Sequence, residues 1–311
     1  MGASSLMILP LTARLRALGT ITFVTTSSGR TYGDEDRALA EELARRAALV
    51  VDNARLYERQ RHIAHTLQQS LLPPSLPQIP GIDVATRYRA AGEGIEVGGD
   101  FYDIFETAEG GWLFTIGDVC GKGPEAAAVT GLARHTLRAV SLHDVRPSTM
   151  LAMLNESILQ VLSDDRFCTV CCVRMRAGSG SARLTMCSGG HPLPLILRAS
   201  GEIETAGRSS MLLGVLPDVE LTDHVVDLKA GDTMVMFTDG VIEEARNPDR
   251  SGPERLTDVL SRCAGLSASE IAESIEHSVV EFGPESPRDD FAILVLRVKE
   301  SAASPDSASS R

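Results

Sequence analysis

The sequence predicts an α+β fold in which antiparallel sheets are combined with helices. Between about residues 82 and 298, short strand-like stretches alternate with two clear helical stretches, 123–141 and 147–163. Residues 96–119, EVGGDFYDIFETAEGGWLFTIGDV, place the apolar strands FYDIF and WLFTI on either side of the turn AEGG. This arrangement predicts a hairpin, and the two strands of a hairpin are antiparallel.

The composition limits the classes of protein to which the chain can belong. Its 311 residues suffice for about two domains, and 43% hydrophobic with 23% charged residues is typical of a soluble globular protein. A net charge of −12 disfavours binding to nucleic acid or to an anionic membrane surface. No apolar run approaches roughly 18 residues, and the N-terminus does not read as a signal peptide. We therefore expect a cytoplasmic protein without nucleic-acid or membrane partners.

The N-terminal part predicts a strand followed by one long helix. Residues 19–26, GTITFVTT, read as the strand, and Asp34 is a suitable cap for a helix that continues to Pro73. Apolar residues recur every seven positions in this helix, at Leu49, Leu56 and Ile63. The repeat fits a dimeric coiled coil and fits equally a helix that packs on its own chain.

Two composition changes mark the ends of the main domain. The proline-rich segment LLPPSLPQIPG, residues 71–81, predicts a boundary because proline fixes φ and lacks a backbone donor. The tail SAASPDSASSR has almost nothing to bury and is expected to be disordered, so we assign 299–311 to it. The six cysteines indicate neither a disulfide framework nor a zinc site, and those of FCTVCCVRM are expected to be buried strand residues.

Residues 116–128, IGDVCGKGPEAAA, allow two interpretations, a nucleotide phosphate loop or a metal-binding acid. A phosphate loop needs four residues between its glycines and a Ser or Thr after its lysine. Here Gly117, Gly121 and Lys122 are spaced too tightly, and Gly123 stands where the hydroxyl residue should be. The choice therefore depends on whether other carboxylates converge on Asp118.

The predicted hairpin supplies the first such carboxylate. If its turn centres near Glu109, Asp100 and Asp118 lie opposite each other. Two adjacent ionised carboxylates repel, so either one holds a proton or a cation lies between them. Neighbouring glycines allow close backbone approach, which suits a hard cation bound by carboxylates and by a main-chain carbonyl such as that of Val119.

Two further acids lie at the ends of strand-like stretches. TMVMFTDGV, residues 233–241, ends in Asp239, and RDDFAILVLRV, residues 288–298, begins a strand after Asp289. The end of one antiparallel strand and the start of its neighbour share an edge, so all four acids are expected at one rim. A single Asp beside Gly is commonly a turn residue, but an all-oxygen set of four favours Mg²⁺ or Mn²⁺.

Five motifs carry a family resemblance. GGDFYD, GDVCGKGPEAA, CSGGHPLPL, FTDGVIEE and RDDFAILVL occur in this order. Together they resemble the metal-dependent serine/threonine protein phosphatases of type 2C (PPM), in the bacterial SpoIIE-like branch. The resemblance implies a domain over residues 78–298, built as an α-β-β-α sandwich of two antiparallel sheets flanked by helices. It also implies two metal ions at one edge, with Asp118 shared, Asp100 and the Val119 carbonyl on one ion, and Asp239 and Asp289 on the other.

The implied chemistry is hydrolysis of a phosphoserine or phosphothreonine by a water that two Mn²⁺ or Mg²⁺ ions activate. For SpoIIE-like enzymes the implied partner is a phosphorylated anti-sigma-factor antagonist, in a stress-response signalling pathway. Two alternatives remain open: a non-catalytic signalling module that binds a partner through its helix, and a small-molecule phosphoesterase with the same metal site.

Some positions depart from the family pattern or leave a role open. The phosphate-gripping arginine that eukaryotic members carry before the first acid is missing, and Arg87 and Arg89 lie further upstream. His191 stands where eukaryotic relatives have an aspartate, and a buried turn histidine is favoured over a role at the leaving group. Asp103 and Asp290 either support the ligands or serve as capping residues.

The N-terminal residues carry a second resemblance. ALGTITFVTTSSGRTYGDEDRALAEELARRAALVVDNARLY is similar to the last strand and closing helix of a GAF sensor domain. We therefore assign residues 1–48 to a C-terminal GAF-like fragment and 49–77 to a helical linker that dimerises and controls the phosphatase.

Overall fold

The computed structural model describes residues 3–26, 29–91, 96–108, 110–143, 146–161, 166–243, 252–282 and 289–300. The predicted turn centre at Glu109 and all but the first two residues of the predicted tail lie outside these ranges. The chain divides into two compact units, Met1–Ile63 and Ala64–Arg311. Within the described ranges, no helix combines the length and the apolar character needed to cross a membrane.

The first unit contains a two-stranded antiparallel sheet, β1 (Ser5–Ala13) and β2 (Arg16–Thr25), and most of helix α1 (Asp34–Leu71). Its small core joins Leu9 to Ala40 and Ala44. Strand β2 and the long helix are as predicted, whereas β1 was not predicted. Pro10 lies within β1 and disfavours a strand in sequence, yet a two-stranded sheet tolerates proline because both of its strands are edges.

The second unit contains the end of α1, ten strands and five further helices in its described part. The strands of its first sheet are β4 (Phe101–Glu106), β5 (Trp112–Val119), β6 (Cys168–Gly178), β7 (Ser181–Gly189) and β10 (His224–Lys229). Those of its second sheet are β3 (Ile82–Arg89), β8 (Leu195–Leu197), β9 (Ile203–Thr205), β11 (Thr233–Phe237) and β12 (Phe291–Val298). The helices are α2 (Pro124–Val140), α3 (Pro147–Val161), α4 (Gly240–Glu243), α5 (Gly252–Ser261) and α6 (Ala268–Phe282).

The two sheets pack face to face between helices. Their strand orders are β10-β7-β6-β5-β4 and β3-β12-β11-β8-β9, and every pairing is antiparallel. Alternating side chains such as Phe114 and Leu294 fill the space between the sheets. The outer face of the first sheet packs on α2 and α3, and that of the second on α5 and α6. The predicted α-β-β-α sandwich is therefore confirmed.

Asp103 connects helix α2 to the first sheet. Its side chain is fully buried in β4 and contacts Arg134 Nη2 at 3.2 Å and Arg138 Nη2 at 2.7 Å. Two arginines compensate the desolvated carboxylate, and Arg138 also stacks 4.6 Å from the ring centroid of Phe105. Of the two roles considered for Asp103, the structure shows neither; its role is to attach α2 to the sheet.

Candidate metal centre

The hairpin of β4 and β5 brings Asp100 beside Asp118. Phe101 pairs with Gly117, and the amide of Val119 donates to the Gly99 carbonyl at 3.2 Å, so the register continues past the end of β4. This is the register that the sequence predicts from a turn at residue 109. Asp100 is 2% exposed, whereas Asp118 is only partly buried.

The second sheet contributes the other two acids. Asp239 follows β11 and lies immediately before α4, whose first residue, Gly240, lets the chain pass closely over the backbone of Asp290. Asp100, Asp118 and Asp239 each offer an oxygen, and these three oxygens lie within 4.8 Å of one another. The acids thus meet at one rim of the sandwich, although they come from both sheets.

Glycines keep this rim open. A Cβ on Gly99 would overlap the carbonyl oxygen of Val119 and would lie 2.6 Å from Asp118 Oδ1, and one on Gly98 would overlap the Asp290 carboxylate. The missing side chain at Gly99 therefore leaves a main-chain carbonyl and a carboxylate oxygen free to face the same point. This is the donor set that Mg²⁺ and Mn²⁺ prefer, so the residues present fit such an ion.

The negative charges of the cluster also favour the binding of a cation. Burial, followed by the charge of Asp118, raises the pKa of Asp100 well above its ordinary value. Burial, followed by Asp239 and Asp289, raises the pKa of Asp118 to about 7. Burial and then Asp289 raise the pKa of Asp239. Each carboxylate resists ionisation because it is desolvated and because its neighbours are also acids, and a bound divalent cation would offset this penalty.

Asp289 lies beside the group of three rather than within it. Its Oδ1 is 2.9 Å from the Lys122 ammonium, and the two side chains are 43% and 34% exposed respectively. Asp289 still raises the pKa of both Asp118 and Asp239, so it belongs to the same electrostatic cluster.

Two neighbours hold the predicted ligands in position. Thr238 Oγ1 donates to Asp100 Oδ2 at 2.6 Å and accepts from the amide of Ala292 at 2.8 Å. Asp290 is 4% exposed and accepts from the amides of Ala91 at 2.6 Å and Gly99 at 3.1 Å. Of the two roles considered for Asp290, the structure favours support of the ligand loop. Thr238 is not predicted from the sequence, although its place directly before Asp239 is a usable signal.

His191 and Arg87 lie away from the open side of the centre. His191 is 1% exposed, its Nδ1 is 2.9 Å from Thr169 Oγ1, and burial lowers its pKa to about 3. The structure therefore favours a buried turn histidine over a role at the leaving group. Arg87 Nε is 3.1 Å from Glu276 Oε2 on α6, which packs on the outer face of the second sheet. Arg87 is thus not a replacement for the missing arginine.

The fold and the acidic rim together define a PP2C-type phosphatase domain. The SiaA-PP2C domain of Pseudomonas aeruginosa superposes with a TM-score of 0.65 at 22% identity, over 79% of this chain and 98% of that domain. The family described as Stage II sporulation protein E (SpoIIE) matches residues 108–299, and the chain belongs to that family. The predicted family is therefore confirmed, whereas the GAF-like fragment stays a prediction.

Two further relatives are informative. The phosphoserine phosphatase RsbU of Bacillus subtilis (strain 168) is 26% identical over 239 residues, which are 76% of this chain and 69% of RsbU. RsbX, solved in complex with magnesium, matches in fold with a TM-score of 0.53 at 16% identity, over 72% of this chain and 99% of RsbX. The prediction of a phosphatase is thus confirmed at the level of the family.

The glycine at position 99 can be tested directly. We expect Gly99→Ala to weaken Mn²⁺ binding by at least about tenfold, because the new methyl group would cover the Val119 carbonyl and Asp118 Oδ1. Isothermal titration of Mn²⁺ into the full chain measures the change, and circular dichroism shows whether the variant is folded.

The matched control is Gly131→Ala in α2, where the nearest atom to the added Cβ is 3.9 Å away. This variant should bind Mn²⁺ like the wild type and be stabilised by up to about 1 kcal/mol. A folded Gly99→Ala chain with unchanged Mn²⁺ affinity would show that the ion does not lie against these two oxygens.

Proposed function

We propose that the chain is a protein serine/threonine phosphatase that requires two divalent cations, Mn²⁺ or Mg²⁺. One observation carries the proposal: carboxylates from two different sheets converge within 4.8 Å at an open rim, next to a carbonyl that Gly99 leaves uncovered. Family membership is consistent with it, because the matched residues 108–299 include three of the four proposed acidic ligands.

The proposed ligands divide into two sets that share Asp118. Asp100 and the carbonyl of Val119 would serve one ion, and Asp239 and Asp289 the other. Two cations so bound would acidify a water molecule and stabilise negative charge on the attacking and leaving oxygens of the phosphoryl group. The burial of Asp100 and the greater exposure of Asp289 support two positions at different depths.

The chain's own residues hold this arrangement and limit the chemistry. Thr238 fixes the orientation of Asp100 through a 2.6 Å hydrogen bond, and Asp290 fixes the backbone of Gly99. His191 is buried and its pKa is lowered to about 3, so it neither reaches a substrate nor carries a proton near neutral pH. The proton for the leaving oxygen therefore comes from elsewhere, and water at the open rim is the simplest donor.

The first test is hydrolysis of an aryl phosphate by the full chain, with and without Mn²⁺, alongside Asp118→Asn. We expect activity that requires Mn²⁺ and that falls by at least about a hundredfold in the variant, since it loses the carboxylate that both ions share. The control is Asp227→Asn, whose ion pair with Arg183 at 3.8 Å joins side chains that are both 66% exposed. That change should leave the rate constant unaltered.

The same experiment addresses the non-catalytic alternative. If the folded wild type and Asp118→Asn are equally inert with Mn²⁺ over a range of aryl and protein phosphates, the enzymatic proposal is wrong. A chain that binds a partner without hydrolysis would then be favoured.

We further propose that the substrate is a phosphorylated anti-sigma-factor antagonist. The name of RsbU as a phosphoserine phosphatase supports the phosphoserine class, and the half-exposed Asp289 indicates a centre that a protein surface can reach. In competition, we expect the phosphorylated antagonist to have a kcat/KM at least about a hundredfold above that of an aryl phosphate. Radiolabelled phosphate release measures both, and equal values would favour the small-molecule phosphoesterase.

A homodimer through α1 is the proposed regulatory assembly, with the GAF-like residues 1–48 as its input. Leu49, Leu56 and Ile63 support it, because they recur every seven residues and are 49%, 40% and 50% exposed. We expect Leu56→Glu combined with Ile63→Glu to yield a monomer in sedimentation velocity. Arg55→Glu combined with Arg59→Glu, at exposed positions of the same helix, is the control. A wild-type monomer at all concentrations would refute the assembly.

A further inference from the structure

The candidate centre is strongly negative, and its proposed substrate carries a phosphate dianion. The two therefore repel each other. Metal ions would offset part of this repulsion, and protein cations beside the centre would offset more and orient the phosphate. Several arginines of the second unit have other carboxylate partners: Arg87 pairs with Glu276, and Arg134 and Arg138 pair with Asp103. Cations beside the turn that follows Asp118 are therefore the ones to consider.

Lys122 is the first of these cations. It lies between Gly121 and Gly123, whose φ angles of 96° and 95° fall in the region that favours glycine. This turn carries the lysine back over the rim, where its Nζ is 2.9 Å from Asp289 Oδ1. The ammonium thus lies within the field of the cluster.

Arg166 is the second cation, and it approaches the same turn from the segment that precedes β6. The amide of Cys120 donates to the Phe167 carbonyl at 3.0 Å, which holds the residues before β6 alongside the turn. Arg166 Nη1 lies 3.4 Å from the point where a Cβ of Gly121 would be. Its ion pair with Glu125 is long, at 3.9 Å, and Glu125 is 68% exposed. Such a pair contributes little and leaves the guanidinium available to a stronger anion.

We propose that Lys122 and Arg166, which both lie beside Gly121, bind the phosphate of the substrate. They would take the place of the arginine that the chain lacks before Asp100. The inference rests on the proposed phosphatase function and names the residues that hold its substrate. Arg166 supplies a planar pair of donors suited to two phosphate oxygens, and Lys122 supplies a point charge beside Asp289.

The test measures binding of inorganic phosphate to the full chain saturated with Mn²⁺, by isothermal titration, for the wild type, Arg166→Ala and Lys122→Ala. Each charged hydrogen bond lost should weaken phosphate binding by about tenfold or more. Arg166→Lys should recover only part of the loss, because lysine lacks the paired donors. The controls are Arg183→Ala and Lys229→Ala, at exposed positions of β7 and β10, which should bind phosphate like the wild type.

Aryl phosphate hydrolysis supplies a second reading. We expect KM and the inhibition constant for phosphate to rise in parallel with the dissociation constant, while the Mn²⁺ affinity of Arg166→Ala stays within about twofold of the wild type. Dissociation constants for phosphate that stay within about twofold in both alanine variants would overturn the proposal. So would a wild type that binds Mn²⁺ but no phosphate.

The two proposals can fail separately. A wild type that binds phosphate through Lys122 and Arg166 but hydrolyses no phosphate ester would support the anion site and refute the phosphatase function. A wild type that hydrolyses phosphate esters, with both alanine variants unchanged in phosphate binding and KM, would support the phosphatase function and refute the anion site.

Discussion

Mutual repulsion of carboxylates at one rim is the constraint on which the second unit depends. Asp100 is buried beside Asp118, and Asp239 arrives from the other sheet to within 4.8 Å. Such a cluster is unfavourable unless a proton or a cation neutralises it. The surrounding residues maintain the cluster: Gly98 and Gly99 provide room, Thr238 orients Asp100, and Asp290 fixes the loop. A sequence selected only for stability would not pack three acids together, so their convergence indicates a function.

Asp103 shows what a purely structural acid looks like in the same hairpin. It is as buried as Asp100, but two arginines bind it. Asp100, three residues earlier, has the neutral Thr238 hydroxyl as its donor, and its pKa is raised. The nature of the partner, more than the depth of burial, therefore separates the two roles. Sequence alone does not show this difference, since both residues are aspartates near glycines and aromatic side chains.

The predictable parts of the structure are those that local geometry determines. The position of the turn was enough to predict the register of β4 and β5, and with it the juxtaposition of Asp100 and Asp118. Apolar periodicity located α2 and α3 to within about two residues of their ends. Strand β1 was not predicted, because Pro10 disfavours a strand in sequence. The position of Arg166 beside Gly121 was not predicted either. It depends on how the residues before β6 pass the turn after β5, and the spacing of residues along the chain does not reveal this.

Solvent exposure differs between the inner and the outer end of the candidate centre. Asp100 is 2% exposed at its inner end, while Asp289 and Lys122 are 43% and 34% exposed at its outer end. The outer end is the more exposed one, so a phosphate that approaches from there meets Lys122 before it meets the buried Asp100. A phosphoserine has a short side chain and lies close to the backbone of its own protein. A centre at an open rim can receive it, whereas a deep pocket would admit only a free small molecule. The same arrangement that makes the acids repel one another therefore also suits the centre to a protein substrate.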